Sequence, residues 1–423
     1  MKIAPSRHVQ SVLASLILVS ICIISCSDKD NAANIGHFEI ITDAEALAGR
    51  LTLDDRSLSV EQSASDFALD FGSKDFSLNL IASVAAPVVD GFTTQATDMD
   101  IRGDRLVVSY NSAGDPYRGA VDLIDVSDPK KPILRCEMAF KTSDVNAVHL
   151  SSSRVFLVGA TSDSEVPAYI SSVGVGANEF SGAYLQTSLS SFAGTDVTSK
   201  GNTVYAVSGN AGGAFALEKS TLDISAEVEI RDARSISSKG NSIVALSGTT
   251  GELTYFDEKL VQLGETSPVG GATKEQEKSS VNLGAETVLV ALNDGGAKIV
   301  CRADNKVIGS IPAVKESETI SEKTVTNSAY LHNGLLFTAN GEAGVYVYHV
   351  RKGEKFESVC KDRNIHLLGK LNFGSDLSAN HVVFKGKHLF VADGLGGVKI
   401  VSVKNDLTED DDTDYDQEEP EDE

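Results

Sequence analysis

The chain has 423 residues, 41% of them hydrophobic, with 9 prolines, which excludes a disordered polymer and a multispanning membrane protein. A formal net charge of −23 excludes a nucleic-acid partner, because a phosphate-binding face needs clustered Lys and Arg. Tryptophan is absent and aromatics make up 6%, so any sugar-stacking platform would rest on Tyr and Phe alone.

At the N-terminus Lys2, Arg7 and His8 precede an apolar run from Val9 to Ile24, and Ser25-Cys26 follows, the order found in an export signal. The run is shorter than the ~20 residues a spanning helix needs. Ile23-Ile24-Ser25-Cys26 resembles a bacterial lipobox, although Ile24 stands where a small residue is usual. The resemblance implies cleavage after residue 25 and lipidation of Cys26. Ser27-Asp28-Lys29-Asp30 resembles the acidic export tag of surface lipoproteins in Bacteroidota, which implies an outer-membrane protein facing outward, held by its lipid anchor only. Residues 26–74 read as a tether and spacer, within which Ile40 to Leu53 suits a short helix or strand.

From about residue 75 to 406 one grammar recurs: a polar turn, a short apolar strand, a Gly-rich hairpin and a second alternating strand. Leu389 to Val401 matches Leu335 to Tyr348, and the pattern returns at Val288, Ile243 and Val204, each with hairpin glycines. Two upstream units, at Leu106 and Val155, carry longer hairpins, Asn111 to Gly119 and Thr161 to Glu179. Seven units of about 47 residues fit the length of four-stranded propeller blades. The expected fold is all-β, a seven-bladed β-propeller of four-stranded antiparallel blades. The alternating stretch Phe76 to Val84 has no partner in the first unit, so it is expected to close the ring as the outer strand of the last blade.

Val121-Asp122-Leu123-Ile124-Asp125-Val126-Ser127-Asp128-Pro129 resembles the signature of LVIVD-repeat β-propellers, and Phe390 through Val403 is similar to the same repeat. That resemblance implies the fold across nearly the whole exported chain and little about function, since propellers host many activities. Residues 407–423 are expected to be a disordered acidic tail; from Asp406 onward 12 of 18 residues are acidic, and none of them forms a calcium-loop pattern. Leaving aside Cys22 and Cys26, the cysteines Cys136, Cys301 and Cys360 are odd in number and far apart, which suits separate buried core residues rather than a disulfide framework or zinc site.

No catalytic motif, metal motif or cofactor fingerprint is present in the sequence. Aligning the starts of the innermost strands gathers Asp98, Asn146, Asp196, Arg234, Ser280, Asn327 and Asn380. In a propeller these positions ring the mouth of the central channel, where they suit a small polar ligand, with Arg234 as counter-charge for an acidic group, or simply hydrate the channel. The long hairpins add Tyr117, Arg118 and Tyr169 to the same face. The leading expectation is therefore a non-catalytic surface lipoprotein that binds a small ligand or an outer-membrane protein. A narrower form is capture of a nutrient such as a corrinoid beside a transporter. One alternative is a metal-assisted lyase or hydrolase, which needs His381 to converge with Asp98 and Asp196; another is an assembly subunit held through its blade rims.

Overall fold

The computed structural model describes residues 38–58, 76–112, 114–271, 278–314, 324–355, 359–374 and 377–406. The expected signal, Cys26 and the expected disordered tail lie outside the described residues. Seven antiparallel sheets follow one another around a ring, five with four strands and two with five. In blade 1 the chain runs outward through Gln95–Arg102, Arg105–Asn111, Gly119–Asp125 and Ile133–Phe140. The inner strands of blades 2 to 7 are Ser143–Leu150, Gly194–Lys200, Ala233–Lys239, Ser280–Leu283, Ser328–His332 and His381–Lys385. Each inner strand touches the next, and the seventh touches the first.

The fourth strand of blade 7 is Phe76–Val84, which pairs antiparallel with Val398–Asn405. The expected closure is thus present residue for residue, and the two ends of the propeller share one sheet. This removes the open edges that would otherwise flank the seam.

The core is divided into seven wedges, one between each pair of neighbouring blades. Strand alternation feeds two wedges at once: Leu106 and Val108 enter the wedge between blades 7 and 1, while Val107 enters that between blades 1 and 2. Middle strands covered on both faces are therefore apolar without interruption, as in Leu335–Ala339. The repeated glycine ahead of the third strand has a steric reason. Gly296, Gly344 and Gly397 hold φ values of +74°, +78° and +70°, and a Cβ on each would lie 2.1–2.2 Å from a carbonyl oxygen of the outer strand.

Residues 38–58, read from sequence as spacer, belong to the propeller. Phe38–Ile41 adds a fifth strand to blade 1, a helical turn Ala44–Gly49 crosses the seam, and Leu51–Leu58 adds a fifth strand to blade 7. Asp43 caps the turn by accepting from the Ala46 amide at 2.8 Å. Arg50 then locks the crossing. Its guanidinium donates to the carboxylates of Asp122 and Glu137, each at 2.6 Å, and to the Ala85 carbonyl at 2.7 Å. The Tyr110 hydroxyl donates to the same Asp122 at 2.7 Å. Burial and the Asp122 charge push the Glu137 carboxyl up to about 7, against the pull of Arg50.

The cysteines require a correction. Cys301, on the third strand of blade 5, is bonded to Cys360, which leads into the outer strand of blade 6, with Cα atoms 5.8 Å apart. Their separation of 59 residues is more than one blade, and the ring sets successive blades side by side, so distant positions meet. Cys136 is a buried free thiol, as expected, and burial pushes it up to about 12.

Candidate functional site

The channel is built by the first residues of the seven inner strands, and most of them serve closure first. Polar side chains at equivalent positions donate to a carbonyl of the following blade: Thr97 to Val145 at 3.1 Å, Asn146 to Gly194 at 3.0 Å and Thr195 to Ala233 at 2.9 Å. Asn327 continues the belt to Ala379 at 3.2 Å, and Asn380 crosses the seam to Ala96 at 2.9 Å. Four of these five acceptors immediately precede the next blade's own belt residue, and the fifth, Ala233, precedes Arg234.

This geometry corrects the sequence alignment by one position in two blades. Thr97 and Thr195 are the bulged residues of blades 1 and 3, where the strand register shifts. Asp98 and Asp196 follow them and point into a second ring. In that ring Asp98 accepts from the Val148 amide at 3.0 Å and Asp196 from the Ile236 amide at 2.9 Å.

The interior is a cavity of about 940 Å³, lined by Asp98, Asn146, Asp196, Arg234 and Ser280 among the expected residues. Asn327 and Asn380 do not line it; they are spent on the belt. Lys278, His381 and His149 line it as well. Lys278 was missed because it precedes its strand by two residues, outside the periodic pattern.

A charged cluster occupies the upper cavity. His381 Nδ1 lies against Asp98 Oδ1, and Lys278 Nζ donates to the Thr97 carbonyl. Burial drives the Asp98 carboxyl upward, but His381 and Lys278 outweigh it and hold Asp98 below the usual carboxylate range. Asp196 is pushed up to about 6 by burial and by the charge of Asp98. Burial also lowers Lys278, against the pull of both carboxylates. Lower in the channel His149 bridges Asp100 and Ser199, each at 2.9 Å.

At the mouth Arg234 donates through Nε and Nη2 to Asp232, whose other oxygen accepts from the Thr249 amide at 3.0 Å. The Arg234 side chain is 10% exposed, and Nη1 has no partner among the described residues. Gly248 makes room for it, since a Cβ there would lie 2.7 Å from Cγ.

The loop-face residues fare differently. Arg118 binds the Tyr117 carbonyl at 2.8 Å, pairs with Asp90 at 3.3 Å and lies 5.7 Å over the Phe92 ring, fastening one long hairpin to the seam. Tyr117 is half-buried beside it. Tyr169 is not a loop residue. It is buried in the strand Ala168–Val175, and its hydroxyl donates to the Asp144 carbonyl at 2.9 Å. The second long hairpin is thereby reduced to residues 162–167.

The ring of seven four-stranded blades decides the fold. It is a β-propeller. No family model and no curated protein matches the chain. Among solved structures, the WD40 repeats of RRP9 are 11% identical, with a TM-score of 0.55 over 82% of this chain and all of that one. U3-55K is 10% identical, with a TM-score of 0.56 over 78% of this chain and 99% of that one. A catalytically inactive virginiamycin B lyase from Staphylococcus aureus, solved with quinupristin, is 10% identical with a TM-score of 0.54, over 78% of this chain and 99% of that one. At such identities the likeness is one of fold.

The metal centre that the lyase alternative needs is not formed. Among the described residues no three His, Cys, Asp or Glu side chains converge on a point that could hold an ion. Asp196 faces Ser235 and Ile236 rather than His381.

Proposed function

We propose that the chain is an exported, lipid-anchored propeller that binds a small polar ligand in its central channel without transforming it. One observation carries the reading: a cavity of about 940 Å³ with charged groups of both signs on its wall, including the Arg234 edge that has no partner among the described residues. That volume lies within the ~300–1,000 Å³ typical of small-molecule sites. Export is supported by the signal-like N-terminus and by the Cys301–Cys360 bond, since disulfides persist in oxidising compartments. Kinship with LVIVD-repeat propellers belongs to the same proposal. It is supported by Asp125 and Asp128, which accept from the Ser127 and Lys130 amides and so shape the signature turn. Nutrient capture beside an outer-membrane transporter is the physiological form this role would take.

The test is a thermal-shift screen of the purified protein against small polar metabolites, corrinoids and divalent cations. A ligand at a hundred times its dissociation constant adds about 2.7 kcal/mol of stability. A shift abolished by Arg234→Ala supports the channel site, and no shift with any class refutes it.

A second reading, a protein partner on the loop-bearing face, is favoured by apolar side chains exposed there: Val88, Phe92, Val166, Phe192 and Leu395. Pull-down from outer membranes that depends on Phe192 supports it.

A further inference from the structure

The second ring of the channel contains a rule and a departure from it. Blades 4 and 6 carry Ser235 and Ser328 there, whose hydroxyls accept from the Val281 and Val382 amides of the following blades. Blades 1 and 3 make the same bond with carboxylates, Asp98 to Val148 and Asp196 to Ile236. A serine therefore satisfies the structural requirement. Asp98 is also paired with His381 of blade 7 across the seam, whereas Asp196 brings enclosed charge without a cationic partner in contact, and enclosing charge is costly.

Lys278 accounts for part of that charge in an unusual way. It leads into blade 5, yet its ammonium is bonded to the Thr97 carbonyl of blade 1, two blades beyond its neighbour, so its stem spans the channel. There the ammonium faces a backbone carbonyl and the fields of Asp98 and Asp196. A carbonyl acceptor with two negative charges nearby is a setting suited to a primary ammonium. Arg234 adjoins Ser235, the residue that donates to Asp196, and lines the same cavity with Nη1 unpartnered among the described residues. Groups suited to a cation and a group suited to an anion thus line one cavity, linked through Ser235.

We propose that Asp98 and Asp196 receive the primary ammonium of a small zwitterion, that Arg234 takes its carboxylate, and that Lys278 holds the ammonium site in cis until the ligand displaces it. This rests on the small-ligand reading of the channel and names the ligand's chemistry. Because a tethered competitor reduces the fraction of protein able to bind, removing it tightens binding.

The experiment is calorimetric titration of the full protein with glycine, 4-aminobutyrate and 6-aminohexanoate, which vary the spacing between the charges. Propionate and trimethylglycine serve as controls lacking the ammonium or its N–H donors. At least one of the three zwitterions should bind, and Lys278→Met should bind it about ten-fold more tightly. Asp196→Ser, which keeps the backbone bond, should weaken binding by about the same factor. Should Lys278→Met fold poorly, its melting temperature should rise with n-propylammonium chloride and not with tetramethylammonium chloride. Equal binding of propionate, or no gain in Lys278→Met together with no rescue by n-propylammonium, overturns the zwitterion assignment while leaving small-ligand capture standing. If none of these molecules binds either protein, the zwitterion assignment falls, and the thermal-shift screen decides small-ligand capture separately.

Discussion

Arg50→Met tests whether the N-terminal crossing secures the seam. The substitution keeps most of the side-chain stem and deletes a guanidinium that serves Asp122, Glu137 and the Ala85 carbonyl together. The two carboxylates left behind are enclosed, with side-chain exposures of 0% and 6%. Removing one partner of such a buried pair costs about 3–5 kcal/mol. With an unfolding entropy of ~2.1 cal/mol/K per residue, a body of this size should lose about 4–6 °C in Tm. The pH dependence gives a second handle. Glu137 already titrates near 7, so mild acid neutralises one of the stranded charges, and the deficit should be smaller at pH 6 than at pH 8. Differential scanning calorimetry at both pH values reads both numbers. A variant that melts within about 1 °C of the parent at pH 8, or whose deficit grows on acidification, refutes the account of the seam.

Glu137, Asp393, Asp196 and Asp144 are raised to about 7, 7, 6 and 6, chiefly by burial, so the folded chain holds more protons than the unfolded one between about pH 4 and 7. Tm should therefore fall as pH rises through that window. His366 and His388, lowered by burial, oppose the trend below about pH 6.5; Asp393→Asn should flatten it, and a Tm that climbs from pH 5 to 8 contradicts the assignment. Non-reducing peptide mapping should return Cys301 and Cys360 on one cross-linked product, with Cys136 free. Cys360→Ser should lower stability by about 4 kcal/mol at most on the chain-entropy scale. Asn380→Ala loses the bond to Ala96 at the seam and should cost about 1–2 kcal/mol. Its ligand affinity should stay at the parent value, since Asn380 is absent from the cavity wall.

The hairpin glycines and the alternating strands made the ring legible before any coordinates, because each marks a position where only one backbone shape fits. Phe76–Val84 was legible for a related reason: an alternating strand without a local partner must find one elsewhere. The site was less legible. A bulge stands at Thr97, Asn146, Thr195 and Arg234 alike, and counting back from the second strand lands on it in blades 2 and 4 but one residue past it in blades 1 and 3. Tyr169 sits in Tyr-Ile-Ser-Ser-Val-Gly-Val, whose serines and glycine resemble loop composition although the strand is buried on both faces. Cys301–Cys360, the Arg50 clamp and the reach of Lys278 to Thr97 all join residues of different blades. Such meetings follow from ring geometry, which local pattern does not encode.

Closure of blade 7 has a temporal consequence. A chain that is released N-terminus first presents Leu51–Leu58 and Phe76–Val84 long before Val398–Asn405, the strand that joins Phe76–Val84 to the rest of blade 7. Until that last strand arrives, Leu51–Leu58 and Phe76–Val84 can pair only with each other, and six blades stand with an open gap. Pairing across so much sequence is slow, and unpaired edges invite association with other chains. Folding of this propeller therefore has one exposed interval, between the release of the first strand and the release of the last, and any factor that guards the chain against association acts then.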